Sequence, residues 1–90
     1  MDTLKEKLEE LGYEGTVILE NPSYDTAIIG ISSNGNLIYD YELMVNYLIE
    51  HDNMTYEDAV EFIDYNTIRA IDYMGELKPI IMNKIEELND

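Results

Sequence analysis

The chain has 90 residues, 46% of them hydrophobic, no cysteine, and 20 Asp and Glu against 5 Lys and Arg, for a formal net charge of -15. That length holds one hydrophobic core and hence one domain, 1–90, and the apolar fraction sets it apart from chains too polar to fold. The same figures exclude thiolate, iron–sulfur and cysteine-zinc chemistry, weigh against direct binding to nucleic acid or an anionic membrane, and leave no apolar run near the ~18 residues of a membrane span.

Taken in chain order, Thr3 to Leu11 comes first. Leu4, Leu8 and Leu11 recur at the spacing of one helical face, with Asp2 as the expected cap and Gly12 as the stop. Thr16 to Glu20 and Thr26 to Ser32 are rich in β-branched residues and flank the turn-prone Asn21, Pro22 and Ser23. Both are predicted strands. Asn34-Gly35 fits a two-residue hairpin turn, after which Asn36 to Tyr39 pairs back antiparallel. That register sets Ile31 opposite Ile38 and Gly30 opposite Tyr39, with Ile29 and Ile31 on one face and Ile28, Leu37 and Tyr39 on the other. Neither face of such a sheet is polar.

Asp40 is the expected cap of a helix from Tyr41 to about His51, whose buried stripe is Tyr41, Met44, Val45 and Leu48 and whose wet side carries Glu42, Asn46 and Glu50. Thr55 with Asp58 three residues on resembles a capping box, and Met54 can staple onto Ala59. A helix is predicted from Tyr56 to Tyr65, with Ala59, Val60, Phe62 and Ile63 inward and Glu57, Glu61 and Asp64 outward. Asn66 then caps a further short turn carrying Ile68, Ala70 and Ile71 before Gly75. Pro79 to Met82 fits an edge strand, while Ile81, Ile85 and Leu88 also fit a helical face; a strand followed by a short helix is expected. The fold class is α+β: a small antiparallel sheet, built on the Asn34-Gly35 hairpin with one or two further strands, packed with three to four short helices.

From Tyr24 to Met82 the order of features resembles a family of small acidic proteins, uncharacterised in function, that is common in bacterial and phage-derived genomes. The residues that carry the resemblance are Asp25-Thr26-Ala27-Ile28-Ile29-Gly30, Tyr39-Asp40-Tyr41-Glu42, Met54-Thr55-Tyr56-Glu57-Asp58-Ala59, Asn66-Thr67-Ile68-Arg69-Ala70, and Gly75-Glu76 with Pro79-Ile80-Ile81. What it implies is a compact α+β domain carried on mobile elements. It implies no substrate and no catalytic residue, and residues 1–20 and the tail after Met82 lie outside it.

No constellation of residues demands a particular reaction, so no catalytic residue, metal site or cofactor is assigned. His51 is the single histidine and falls near the end of a predicted helix, where the carbonyl dipole favours partial positive charge. Carboxylates are abundant without EF-hand spacing, and no phosphate-binding glycine loop occurs. The N-terminus lacks the basic-then-apolar order of a signal peptide, which with the absence of cysteine makes a cytoplasmic location the expectation.

Charge distribution is the strongest signal. Lys5 and Lys7 lie at one end and Arg69, Lys78 and Lys84 at the other, so Leu8 to Ile68 holds carboxylates alone. Such self-repulsion costs stability, and a partner of opposite charge would relieve it. The expected function is therefore non-catalytic: a mobile-element-type inhibitor, DNA-mimic or anti-CRISPR-like, that occupies the basic surface of a nucleic-acid-binding protein. Its acidic face is assigned to Glu42, Glu50, Glu57, Asp58, Glu61 and Asp64, and its aromatic anchors to Tyr47, Tyr56 and Tyr65, because tyrosine suits half-wet contact sites. The alternative is an accessory domain that forms a homodimer or joins a complex through tyrosines and an apolar sheet face, with the acid serving solubility.

Overall fold

The computed structural model describes residues 3–85. Helix α1 spans Leu4–Glu10, and its cap is Thr3, whose hydroxyl accepts the Glu6 N–H at 3.2 Å. The expected cap Asp2 lies outside the described residues. Of the three leucines only Leu8 is buried: the helix stops at Glu10 and Gly12 turns the chain with φ +91°, which leaves Leu11 71% exposed.

The segment 16–20 is extended but is not a strand, contrary to the sequence expectation. Its polar groups are satisfied elsewhere: Val17 N–H reaches Leu77 O at 3.4 Å, Leu19 N–H donates to the Tyr39 hydroxyl at 3.0 Å, and the Thr16 hydroxyl donates to Gly35 O at 3.0 Å. With its bonds spent on a side chain and on loops, no ladder forms. The chain then turns through Asn21 (φ 54°), a cis Asn21-Pro22 peptide and Tyr24 (φ 51°), and a 3-10 turn at Asp25–Ala27 leads into β1, Ile28–Ile31.

Strand β1 pairs antiparallel with β2, Leu37–Asp40, in a register that corrects the expected one: Ile28 faces Tyr39, Gly30 faces Ile38 and Ile31 faces Leu37. Two details of the backbone explain the shift. A two-residue type I′ turn needs positive φ at both central residues, but in this loop only Gly35 has it, at +93°. The loop therefore has three residues, closed by Gly35 N–H to Ser32 O at 3.0 Å and Ser32 N–H to Asn36 O at 2.9 Å. Further along, the register slips between Ile28 and Gly30, which leaves Ile29 unmatched and 47% exposed. That bulge returns Ile28 and Ile31 to the same face as the buried Leu37 and Tyr39.

Helix α2, Tyr41–Asp52, follows β2 without a loop. Asp40 caps it as expected, Oδ1 accepting the Leu43 N–H at 3.1 Å, and Asn53 ends it in the left-handed region. Met44, Val45 and Leu48 are fully buried, at about 1.5–3 kcal/mol of transfer free energy each. Helix α3, Tyr56–Phe62, is capped by Thr55, whose hydroxyl accepts the Asp58 N–H at 3.1 Å. The expected break at Asn66 does not occur: Ile63–Thr67 is a π-helical turn, and the chain runs on without interruption into α4, Ile68–Ile71. Of the residues on this last turn Ile71 is buried and Ala70 is exposed, and Gly75 (φ +86°) lies past the end of the helix.

The three helices bring the chain back to the end of the sheet where β2 began. Strand β3, Ile80–Met82, consequently lies parallel to β2, with Ile38 beside Ile80 and Asp40 beside Met82. The sheet is mixed, ordered β1-β2-β3, and not wholly antiparallel. Asn36 anchors the returning chain, donating from Nδ2 to Glu76 O at 2.9 Å and Lys78 O at 2.8 Å. The strand expected at Pro79 to Met82 is present; the short helix expected after it falls largely outside the described residues. The architecture is α+β, and among the described residues no helix is long and apolar enough to cross a membrane.

Candidate functional site

Helices α2 and α3 pack together and, with the π-helical turn that follows α3 and holds Asp64, carry the residues singled out by charge. Glu42, Glu50, Glu57, Asp58, Glu61 and Asp64 are all exposed. They do not play one role. The Tyr56 hydroxyl donates to Glu42 Oε1 at 3.2 Å, and the Tyr41 hydroxyl donates to Asp64 Oδ1 at 3.0 Å, so two of the six carboxylates tie the helices together. Burial and then the Asp64 carboxylate push the Tyr41 hydroxyl up to about 12, and the Glu42 bond raises that of Tyr56. Each hydroxyl keeps its proton because the anion beside it would repel a phenolate.

Three of the remaining acids, Glu57, Asp58 and Glu61, line two shallow depressions. Tyr56, Glu57, Val60 and Glu61 line one; Met54, Asp58, Glu61, Phe62, Tyr65 and Asn66 line the other. Tyr65 is 63% exposed, and the Arg69 guanidinium lies 5.6 Å from its ring centroid. Glu50 lines neither depression. Tyr47 does not either: it is half-buried, its ring 5.6 Å from that of Tyr24 and 4.3 Å from that of His51, with its hydroxyl 3.4 Å from Ser23 Oγ. His51 is exposed in the last turn of α2.

Next to this surface lies a cleft that the sequence did not disclose. It is about 110 Å³ in volume and sits between the 19–24 segment and the π-helical turn, lined by Leu19, Glu20, Asn21, Pro22, Tyr24, Phe62, Asn66, Thr67, Ala70 and Met74. Unusual backbone builds both walls. Tyr24 is a wholly buried aromatic held at φ 51°, a conformation that costs a bulky residue on the order of 1–3 kcal/mol. Opposite it, the π-helical turn widens the helix and places Thr67 inward, 2.7 Å from the Tyr24 hydroxyl. Burial raises the Tyr24 hydroxyl, and the Thr67 bond opposes part of that shift. A hydroxyl-bearing, β-branched residue in a helix interior was the one hint of this site in the sequence.

Compared with family models, with curated proteins and with solved structures, the chain finds no match. Among the described residues, no three acidic or histidine side chains converge in a way that could hold a metal ion.

Proposed function

We propose that this protein is a non-catalytic inhibitor of the mobile-element type, acting in the cytoplasm, that occupies a basic nucleic-acid-binding surface of another protein. The observation that carries this reading is the outward row Glu57, Asp58 and Glu61 on α3, in a stretch with no Lys or Arg from Leu8 to Ile68. On a helix, Glu57 and Glu61 stand one turn apart and offer successive carboxylates to lysines and arginines that otherwise hold phosphates.

The test is capture from a bacterial lysate at low salt, followed by displacement. A captured protein is expected to be released by salt, to bind DNA or RNA, and to lose that nucleic acid on addition of this protein. The variant Glu57→Lys/Glu61→Lys should fail to displace it. Asp64 is left unchanged because it holds Tyr41. Equal displacement by the charge-reversed variant, or no nucleic-acid-binding protein among those captured, would sink the reading.

A second reading, an accessory domain that self-associates, is favoured by one observation: Ile29 and Ile80, on the two outer strands of the sheet, are 47% and 41% exposed. It predicts a dimer by light scattering that persists in high salt, because apolar contact is not screened.

A further inference from the structure

We infer that Asn34 is a site of spontaneous chemical modification, at which the side-chain amide is lost to give aspartate and isoaspartate, and that the closed hairpin turn around it sets the rate. The modification is independent of any partner.

The reaction needs an asparagine whose side-chain carbonyl carbon is within reach of the next residue's backbone nitrogen. Of the asparagines in the chain, Asn34 alone is followed by glycine, whose nitrogen has no neighbouring side chain to obstruct the approach. The Gly35 nitrogen gives up its proton to hydroxide and attacks Asn34 Cγ. The new N–Cγ bond closes a cyclic imide, the Cγ–Nδ2 bond breaks, and ammonia leaves with a proton taken from water. Water then opens the imide at one carbonyl or the other, giving aspartate or isoaspartate. No electrons are exchanged, and water is the only co-reactant. The other described asparagines are less suited. Asn21 precedes Pro22, which has no N–H to give up. Asn46 and Asn66 lie within helical turns, and the Asn36 carboxamide is held by Glu76 O and Lys78 O. Asn53 and Asn83 precede Met54 and Lys84, whose side chains crowd the attacking nitrogen.

The fold leaves the electrophile open and guards the nucleophile. Asn34 is exposed, whereas Gly35 is buried and donates its N–H to Ser32 O at 3.0 Å. With that bond, and no positive φ at Ser33 or Asn34, residues Ser32 to Gly35 form a type I turn. Such a turn sets ψ of its third residue at about 0°, where Cβ is rotated well away from the following nitrogen and the ring cannot close. Two outer bonds keep the turn shut: the Thr16 hydroxyl donates to Gly35 O at 3.0 Å, and the Asn36 N–H donates to the Ser32 hydroxyl at 3.1 Å. Conversion waits on local opening, so its rate is the open fraction multiplied by the rate of an unrestrained chain. The isoaspartate product lengthens the loop backbone by one carbon, just ahead of the Asn36 carboxamide that anchors the chain leading into β3.

The experiment incubates the folded protein at mildly alkaline pH beside the capped peptide acetyl-Ile-Ser-Ser-Asn-Gly-Asn-Leu-amide. Peptide mapping by mass spectrometry follows conversion at each asparagine, and Gly35 amide exchange is measured in parallel. Asn34 is expected to convert ahead of every other asparagine and about 10–100-fold more slowly than in the peptide, the factor that two or so turn hydrogen bonds impose on opening. Thr16→Val and Ser32→Ala, each of which removes one outer bond, should raise both the folded rate and Gly35 exchange about 2–10-fold. A variant that has unfolded should convert at the peptide rate, which is the open-state limit. Earlier conversion at another asparagine, no conversion at Asn34 after about a hundred peptide half-lives, a folded rate equal to the peptide's, or a folded rate unchanged by both substitutions would overturn the inference.

Discussion

The Tyr56 hydroxyl donates to Glu42 Oε1 at 3.2 Å, joining the first turn of α3 to the first turn of α2. With the Tyr41–Asp64 bond it makes a pair of tyrosine–carboxylate ties across one helix interface, and both depend on neutral phenols. The expected pH response follows. Tyr41 is raised from the ordinary tyrosine value of 10.0 to about 12, and Tyr24, Tyr39 and Tyr56 are raised as well. Groups that hold their protons more tightly when folded stabilise fully below the unfolded value and lose that contribution as pH rises through the folded one. Thermal midpoints should thus stay level up to about pH 10 and fall between there and about pH 12. Tyr41→Phe should lower stability by about 1 kcal/mol at neutral pH and make the alkaline decline shallower.

Tyr39→Phe should be more damaging than its single lost oxygen suggests. The ring is fully buried, and its hydroxyl is the acceptor for the Leu19 N–H at 3.0 Å. Removing it orphans a buried amide, so denaturant unfolding is expected to show a loss of about 1–3 kcal/mol. Amide exchange at Leu19 should quicken before exchange elsewhere.

Both helix caps are open to the same treatment. Asp40→Ala and Thr55→Ala should each cost about 1 kcal/mol, because each leaves an N–H of the first turn without its acceptor. Asp40→Asn, which keeps an oxygen in place, should recover most of the loss. These caps were legible in the sequence because capping is settled within four residues. The hairpin register was not: Asn34-Gly35 was read as the whole turn, yet Asn34 stays at negative φ and the loop takes in Ser33 as well. The parallel placement of Ile80–Met82 depends on where three helices deliver the chain, and no local pattern encodes that. Of the candidate site, the outward acids on α3 followed from helical periodicity. The cleft did not, because it arises from packing between Tyr24 and Thr67, two residues far apart in sequence and both in conformations that their neighbours impose.

Added salt should stabilise the protein. With a net charge of -15, the folded state suffers repulsion that ions screen over about 10 Å at 0.1 M. Melting temperature is expected to rise with sodium chloride and to level off near molar concentration. Glu57→Lys/Glu61→Lys should melt higher than the parent at low salt and show a flatter salt response; identical curves for the two proteins would mean that these acids do not repel their surroundings.

Gly35→Ala should cost about 1–2 kcal/mol through the backbone alone, since an added Cβ would meet Leu77 at 3.5 Å and Thr16 at 3.7 Å, ordinary contact distances, while φ remains at +93°. Circular dichroism during urea unfolding measures it.

Strand β3 has its place on β2 only because α2, α3 and α4 turn the chain around between them. In a folding chain whose β3 has not yet docked, one side of Leu37–Asp40 is a bare strand edge open to a strand of another chain, so slow docking of Ile80–Met82 favours aggregation.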